Sequence, residues 1–343
     1  MKALLLDEHG DVDNVYYGEA PAPEAGPGEV VVQVKAAALN GLDLWVIEGW
    51  PALRVQFPHI IGSDGAGIVA NVGEGVEDVS AGDRVAVNPT VSCGECDYCR
   101  AGQENRCQHF VVLGEQIAGF FAECVAVPAA NLLPLPQAIS FETAAAASLV
   151  FFTAWHSLIE AGGLRAGEDV LIVGAGGGVN TAAIQIARLA GARLIYVVGS
   201  SDEKLERARS LGADVLINRH EENWSKAVYL RTNKKGVDVV VDNVGAATFH
   251  DSLRALRKGG RLLTVGNSSG PQFQFDNRLM FGKHLSIVGS TMGTRRDFER
   301  VMGLVFSDRL QPVIDTVYPL QQGVEALRRL RDGDVMGKLV LSP

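Results

Sequence analysis

A glycine-rich stretch in the middle of the chain constrains its fold more than any other feature. Residues 170–173 read Val-Leu-Ile-Val, residues 174–178 read Gly-Ala-Gly-Gly-Gly, and an Ala- and Ile-rich run follows to Ala187. This order predicts a buried parallel strand, a tight turn and a helix. Glycines let a phosphate approach the backbone, and the helix N-terminus offers free N–H groups. The stretch therefore predicts a dinucleotide-binding turn, although Val179 stands where a third glycine is usual.

The residues after this turn alternate between strand-like and helix-like patterns. We predict strands over 193–198, 237–241, 261–265 and 285–289, and helices over 179–190, 202–211 and 247–257. That alternation predicts an α/β fold with a doubly wound parallel Rossmann sheet. We assign this dinucleotide-binding domain to residues 151–289.

The N-terminal third has a different pattern. Short alternating strands such as 29–35 and 67–72 are separated by Gly and Pro, and no long amphipathic helix interrupts them. With 343 residues the chain exceeds a usual single domain. We therefore predict a second, mostly β domain over 1–150 plus 290–343. Helix 295–306 and the closing strand 338–341 would return the chain to that domain.

Four of the 5 cysteines lie close together in the sequence. Cys93, Cys96 and Cys99 are each separated by two residues, and Cys107 closes the loop. Four thiolates at this spacing can surround one zinc ion, and four protein ligands make such a site structural. The alternative is a set of free or redox-active thiols. Cys124 lies in an apolar strand-like run, which indicates a small core residue.

Composition excludes several classes of function. A net charge of -9 and the lack of a basic stripe argue against a nucleic-acid partner. The longest apolar stretch, Ala144 to Trp155, is too short to span a bilayer, and no signal-peptide pattern precedes it. We expect a cytoplasmic protein that acts on a small molecule.

Several motifs together resemble the zinc-containing medium-chain alcohol dehydrogenase superfamily. They are the cysteine loop 93–107, the glycine turn, the string Gly-Ser-Asp-Gly-Ala-Gly at 62–67 with Gly73 and Val76, the string Gly-Asp-Arg-Val at 82–85, and Gly-Lys-Leu-Val at 337–340. The resemblance covers essentially the whole chain. It implies that the mostly β domain is GroES-like and that the chain is an NAD(P)-dependent oxidoreductase.

The chain departs from this family at the catalytic zinc. In alcohol-oxidising members a Gly-His-Glu string supplies a zinc ligand, and here Ser63 and Asp64 stand in the His and Glu positions. The family's other two ligands fall on Asn40 and near Leu149. An amide, a hydroxyl and a leucine are a poor set for zinc. The proton-relay positions read Leu42 and Trp45.

We therefore expect one structural zinc and no catalytic metal. Without a Lewis acid, unactivated alcohols and ketones become unfavourable substrates. A quinone or an α,β-unsaturated carbonyl needs less assistance, and the pattern is similar to the zinc-free quinone oxidoreductase branch. By resemblance, the catalytic candidates are Asn40 and Ser63 as hydrogen-bond donors, with Asp43 or Asp64 orienting them. We interpret His59 and His156 as structural.

The cofactor prediction rests on the end of the second Rossmann strand. That end reads Gly199-Ser200-Ser201 without an acid, whereas NAD-selective sites place one there. Ser200 and Glu203 form a capping-box pattern, and Lys204 and Arg219 are candidates for a 2′-phosphate. We therefore prefer NADPH over NADH. The predicted cofactor residues are Gly176, Gly177, Gly178, Val179, Ser200, Lys204 and Arg219, and by resemblance only Thr153, Asn243, Gly266, Ser290 and Lys338.

The resemblance also implies an assembly and leaves two alternatives open. Relatives pair the last strand of the cofactor sheet with its symmetry mate, so residues 285–292 predict a homodimer, with a homotetramer still possible. One alternative function is a zinc-dependent alcohol dehydrogenase with altered ligands such as Asp64 or His59. The other is a non-catalytic NADP-binding protein of the crystallin type.

Overall fold

A computed structural model describes all 343 residues. The chain divides into two compact units, one formed by Met1–Val150 with Thr294–Pro343 and the other by Phe151–Gly293. The second unit thus extends beyond residue 289. It is inserted between two segments that fold together as the first unit.

The first unit begins with a succession of short strands. Its elements are, in order, β1 (Lys2–Leu6), β2 (Val15–Glu19), β3 (Glu29–Ala38), α1 (Gly41–Glu48), β4 (His59–Ile60), β5 (Asp64–Val72), β6 (Arg84–Val87), β7 (Thr90–Val91), α2 (Asp97–Arg100), β8 (Val111–Val112), β9 (Cys124–Pro128), β10 (Leu132–Pro134) and α3 (Phe141–Trp155).

The second unit alternates strands with helices. Its elements are β11 (Asp169–Val173), α4 (Gly178–Leu189), β12 (Leu194–Gly199), α5 (Asp202–Ser210), β13 (Val215–Asn218), α6 (Trp224–Arg231), β14 (Val237–Asp242), α7 (Phe249–Ala255), β15 (Leu256–Thr264), α8 (Asn277–Lys283) and β16 (Ser286–Gly289). The chain then returns to the first unit through α9 (Arg295–Phe306), β17 (Ile314–Pro319), α10 (Gly323–Arg331) and β18 (Lys338–Ser342).

The strands of the second unit form one six-stranded sheet. The order is β13-β12-β11-β14-β15-β16, and every pairing is parallel. This confirms the predicted doubly wound fold class. Strand β11 is central and fully buried, as its uninterrupted apolar sequence predicts.

The first unit contains the predicted mostly β structure. Strands β10-β6-β5-β3-β18-β17 form its main sheet, with β9 also paired to β3, and β2-β1-β4 form a smaller antiparallel sheet. Strand β3 is the key element, because Ala38 at its end pairs with Asp64 on one side and Val340 on the other. This register brings together three segments that are far apart in the sequence.

Three sequence predictions need correction. Sequence patterns did not reveal β13 and α6, because the two elements are only 4 and 8 residues long, too short to show a clear periodicity. Helix α5 is capped by Ser201, whose Oγ accepts a hydrogen bond from the Lys204 N–H at 3.4 Å, so the predicted Ser200–Glu203 box is wrong by one residue. Two adjacent serines cannot be told apart as caps by residue type.

The third correction concerns the apolar helix. Helix α3 continues through wider turns to Ala161, which gives 21 residues with a hydropathy of 1.3 over its apolar window. By length and composition alone such a helix can cross a membrane, so the correction is that the helix extends beyond the predicted apolar stretch 144–155 at both ends. The window is 72% buried inside the protein, as in a core helix.

Candidate functional site

The turn between β3 and α1 positions the first group of candidate residues. Asn40 precedes α1 in an extended conformation, and its backbone N–H donates to Oδ2 of Asp43 in the first helical turn at 2.7 Å. A carboxylate at a helix N-terminus satisfies a free N–H in this way. Asn40 and Asp43 are thus held together, and both are buried.

Lys338 lies at the start of β18 and completes this group from the far end of the chain. Its ammonium is 3% exposed and donates to Asp64 Oδ2 at 2.9 Å and to the side-chain oxygen of Asn40. Sequence reasoning placed Lys338 among the cofactor residues. The structure places Lys338 in the first unit, hydrogen-bonded to Asn40 and Asp64.

Asp64 is the centre of this buried polar cluster. Its Oδ2 also accepts from Asn40 Nδ2 at 2.9 Å, and its Oδ1 accepts the backbone N–H of Leu149 at 2.7 Å. Three donors therefore converge on one carboxylate that is fully buried. We call the five residues Asn40, Asp43, Ser63, Asp64 and Lys338 the polar cluster.

Asn40 has no unused hydrogen-bonding group. Its Oδ1 accepts from Lys338, and its two Nδ2 hydrogens go to Asp64 and, at 3.3 Å, to the Ala38 carbonyl. An amide has only two donor hydrogens. The structure therefore gives Asn40 a positioning arrangement rather than a free donor for a substrate.

Asp43 and Ser63, unlike Asn40, each have a side-chain oxygen without a hydrogen-bond partner. Both are fully buried, and neither Asp43 Oδ1 nor Ser63 Oγ has a hydrogen-bond partner. Burial raises the pKa of the Asp43 carboxyl to about 7, against the lowering effects of the Asn40 N–H and the Lys338 ammonium. Close to neutral pH this carboxyl can therefore take up or release a proton.

The histidines of the sequence analysis lie outside this cluster. His59 is buried on β4, where its Nε2 lies 3.3 Å from the Gly114 carbonyl oxygen, and burial lowers its pKa. His156 continues α3 in the second unit. The predicted structural role fits the placement of His59.

The four cysteines of the loop come together as a possible metal centre. Their sulfur atoms lie within 4.8 Å of one another, with Cys93 and Cys107 at 3.5 Å and Cys96 and Cys99 at 3.5 Å. Tetrahedral zinc with Zn–S bonds of about 2.3 Å separates its sulfurs by roughly 3.8 Å. Backbone N–H groups, that of Glu95 most strongly, lower the pKa of the Cys93 thiol to about 6. The residues therefore fit a structural zinc ion.

The glycine turn of the second unit is braced by a side chain. Gly174 has φ +107°, and a Cβ there would lie 2.5 Å from Asn180 Nδ2. That amide donates to the Val173 carbonyl at 3.0 Å, and Asn180 Oδ1 accepts from Asn243 at 2.8 Å. Glycine is required at residue 174 because this side chain fills the space. The bracing residue, Asn180, follows Val179 in the first turn of α4.

The predicted cofactor residues lie where a dinucleotide site is expected. Gly178 begins α4, Asn243 follows β14, Gly266 follows β15 and Ser290 follows β16, all at carboxyl ends of parallel strands. Asn243 Oδ1 and Ser290 Oγ are buried without a partner. Thr153 donates to the Met292 sulfur at 3.7 Å. Buried polar atoms without a partner at these strand ends fit a bound nucleotide.

The end of β12 is the expected position of the adenosine ribose. Ser200 is exposed there, and the backbone N–H of Arg219 donates to the Gly199 carbonyl at 3.0 Å. The Arg219 side chain is exposed, while Asp202 accepts from Asn218 at 2.9 Å. The structure therefore places a cation next to the end of this strand.

Comparison with known proteins identifies the family. The description "Alcohol dehydrogenase GroES-like domain" matches residues 26–137, and "Zinc-binding dehydrogenase" matches residues 178–307. An acryloyl-coenzyme A reductase of Sulfurisphaera tokodaii is 32% identical over 345 residues, covering 100% of both chains. The chain belongs to the medium-chain alcohol dehydrogenase superfamily, and it is an NAD(P)-dependent oxidoreductase.

Other relatives are named either as alcohol dehydrogenases or as reductases of CoA thioesters. An alcohol dehydrogenase of Geobacillus stearothermophilus is 32% identical, covering 99% of this chain and 98% of its own. A crotonyl-CoA reductase of Streptomyces avermitilis is 32% identical over 96% of this chain and 83% of its own. The alternative of a non-catalytic protein finds no support among these relatives.

Solved structures agree with the fold. A structure named as an NAD-dependent alcohol dehydrogenase is 42% identical, with a TM-score of 0.96 over 100% of both chains. A cobalt- and zinc-bound alcohol dehydrogenase from Pyrobaculum aerophilum is 33% identical, with a TM-score of 0.90 over 100% of this chain and 99% of its own. A putative zinc-binding dehydrogenase from Sinorhizobium meliloti, bound to NADP, is 26% identical, with a TM-score of 0.88 over the same shares.

Proposed function

We propose that this protein is an NADPH-dependent reductase that delivers hydride to an α,β-unsaturated carbonyl or a quinone without a catalytic metal. The polar cluster carries this proposal. The Asn40 side-chain oxygen already accepts a hydrogen bond from Lys338, and Leu149 contributes only a backbone N–H. Ser63 contributes a neutral hydroxyl. These groups do not fit a zinc ion, which binds thiolate, imidazole and carboxylate.

The chemistry of the acceptor agrees with such a site. Addition of hydride to a conjugated double bond moves an electron pair onto the carbonyl oxygen, and one proton completes the reduction. NADPH supplies the hydride when bound. Ser63 Oγ is the unused hydroxyl of the polar cluster, and the Asp43 carboxyl, with its pKa raised to about 7, can take up or release a proton near neutral pH. We assign Asn40 to positioning these groups and Asp43 to storing the proton.

The names of the relatives support this substrate class. Acryloyl-coenzyme A and crotonyl-CoA are both α,β-unsaturated thioesters, and the proteins named for reducing them match this chain over 96% of its length or more. A 2-enoyl thioester is therefore the first acceptor to test.

The preference for NADPH rests on charge at the end of β12. The two residues after Gly199 are serines rather than acids, and the backbone N–H of the exposed Arg219 donates to the Gly199 carbonyl. A guanidinium binds a phosphate through strong charge-assisted hydrogen bonds. We therefore keep Arg219 as the 2′-phosphate residue, with Lys204 as a second cation on α5.

A second candidate is an NAD-dependent alcohol dehydrogenase with altered metal ligands. The 42% identical structure carries that name. This candidate requires a second bound metal and oxidation of an alcohol with NAD⁺.

The experiment combines turnover with metal counting. Purified protein is assayed with NADPH and NADH against a 2-enoyl thioester, a quinone and a saturated ketone, and with alcohols plus NAD⁺. We expect NADPH consumption with the first two acceptors and one zinc per chain. Alcohol oxidation with two metals per chain would contradict the proposal.

A variant at Arg219 tests the preference for NADPH over NADH. Arg219→Ala removes one charge from the phosphate site and is expected to weaken NADPH binding by about tenfold or more while NADH binding stays the same. Arg207→Ala, which removes an exposed arginine of α5, is the control. Equal binding of NADH and NADPH by the unmodified protein would contradict the preference.

The predicted dimer remains a proposal supported by one edge of the sheet. Strand β16 pairs only with β15, and its Ile287 is 37% exposed. An open edge with an exposed apolar residue favours pairing with a second copy. We also keep the expectation of a cytoplasmic location, where four reduced thiols can hold zinc.

A further inference from the structure

Asn180 links the ends of two neighbouring strands in the second unit. It lies in the first turn of α4, is 7% exposed, and donates from Nδ2 to the Val173 carbonyl at the end of β11 at 3.0 Å. Its Oδ1 accepts from Nδ2 of Asn243, which follows β14, at 2.8 Å. Two side-chain amides therefore connect the glycine turn with the loop after β14.

The Val173 carbonyl determines how both amides are oriented. A backbone carbonyl accepts hydrogen bonds and cannot donate one, so Asn180 must turn its NH₂ group toward Val173 and its oxygen toward Asn243. Asn243 must then turn its own NH₂ group toward Asn180. This leaves Asn243 Oδ1 buried without a hydrogen-bond partner. The Asn243 side chain therefore offers a ligand a hydrogen-bond acceptor at this oxygen.

Other groups hold the backbone around Asn243. Asp242 is 1% exposed, and its Oδ1 accepts the backbone N–H groups of Val244 at 2.9 Å and of Gly245 at 3.2 Å. The backbone N–H of Ser269 donates to the Val244 carbonyl at 2.7 Å. Because none of these bonds involves Asn180, its removal should free the Asn243 side chain while the loop keeps its path.

We propose that Asn180 is a positioning residue for cofactor binding, which holds the Asn243 oxygen as an acceptor for a donor on the nicotinamide half of the dinucleotide. The chain continues from β11 to β12 and β13 on one side of the sheet and then crosses to β14 on the other. Ligands of such sheets bind across this switch point. Since the adenosine ribose is expected at the end of β12, the nicotinamide half is expected on the β14 side.

The donors available on that half are ribose hydroxyls and the carboxamide NH₂ group. A buried acceptor without a partner costs free energy, and a donor on the cofactor offsets this cost when it binds. The inference requires a bound dinucleotide of either kind. It is independent of the proposed function, because it does not involve the acceptor that is reduced.

Asn180→Ala tests the inference by titration calorimetry on the intact protein. Loss of the amide lets the Asn243 side chain turn, so the affinity for NADPH is expected to fall by about fivefold. Binding of 2′,5′-ADP, which lacks the second ribose and the nicotinamide, should be unchanged. Gln185→Ala, which removes another side-chain amide of α4, is the control and should bind both ligands like the unmodified protein. If the protein binds NADH instead, NADH and ADP replace this pair.

A double variant separates positioning from a general effect on the glycine turn. In an Asn243→Ala background the acceptor is absent, so adding Asn180→Ala should have no further effect on dinucleotide binding. If Asn180→Ala does not fold, Asn180→Ser is used, because its side chain is too short to join Val173 and Asn243.

The binding results decide the inference by themselves. An unchanged dinucleotide affinity in Asn180→Ala would overturn it, as would an equal loss of affinity for the dinucleotide and its adenosine half. A further loss on adding Asn180→Ala to Asn243→Ala would also overturn it. Failure of the unmodified protein to consume NADPH with any activated acceptor would overturn the proposed function and leave these binding results unchanged.

Discussion

Two aspartates of the polar cluster differ in how many donors they receive. Asp64 accepts from Lys338, Asn40 and the Leu149 N–H, whereas Asp43 accepts the Asn40 N–H on Oδ2 and has no hydrogen-bond partner at Oδ1. Both are fully buried. Since burial penalises a charged carboxylate, the less satisfied Asp43 has its pKa raised to about 7.

This difference predicts a pH-dependent stability for Asp43. Its pKa in the folded protein lies above its value of 3.8 when unfolded, so the folded state retains a proton that the unfolded state releases. Stability from this group is present at low pH and is lost as the pH rises toward 7. Between about pH 4 and pH 8, Asp43→Asn should gain up to about 4 kcal/mol relative to the unmodified protein.

Urea unfolding at several pH values measures this change. Asp78→Asn, which alters an exposed aspartate, is the control and should follow the unmodified protein. A difference between Asp43→Asn and the unmodified protein that does not vary with pH would show that Asp43 is ionised throughout.

The sequence predicts the identity of most cluster residues but not their pairing. Asn40, Asp43, Ser63 and Asp64 all lie in motifs that resemblance singles out. Lys338 is 298 residues from Asn40, and no local pattern indicates that its ammonium reaches that side chain. Only the pairing of β18 with β3 reveals this contact.

At the scale of elements, the cysteine loop has little secondary structure to hold it. Between residues 93 and 107 only the single-turn helix α2 and a short turn at Glu104–Arg106 occur. The cysteine spacing predicts the sulfur cluster well, because the loop is short and its ligands are close in sequence. Strands such as β13, which depend on neighbouring strands for their stability, were harder to predict.

The loop predicts a measurable contribution from zinc. The unmodified protein should contain one zinc per chain, and Cys99→Ser should lose it. Closing a loop of about 15 residues with a cross-link contributes about 3 kcal/mol, so a loss of this order is expected in urea unfolding. Cys124→Ser, on β9, should keep both zinc and stability. Retention of zinc by Cys99→Ser would contradict the four-thiolate site.

At the scale of the whole molecule, the order of elements was the most predictable property. The glycine turn and the strand–helix alternation determine the parallel sheet, because each crossover must return over the same sheet. The exact boundary of the inserted unit was not predictable, since Ser290 to Gly293 carry no pattern of their own and belong to the second unit by contact.

The exposed edge of that sheet predicts the assembly. Light scattering should give twice the chain mass of 36.5 kDa for the unmodified protein. Ile287→Lys places a charge on β16 and should shift the protein toward monomers, since charged residues oppose edge pairing. Leu230→Lys, on α6 and 53% exposed, is the control. A monomeric unmodified protein would contradict the dimer.

The insertion of one unit inside the other has a consequence during synthesis. Strand β3 leaves the ribosome early, but its partner β18 emerges only after the whole inserted unit has been translated. The main sheet of the first unit therefore lacks β18 until the second unit has been synthesised. A translational pause or a slow-folding variant in the inserted unit should thus lengthen the time for which β3 is open to chaperones and proteases.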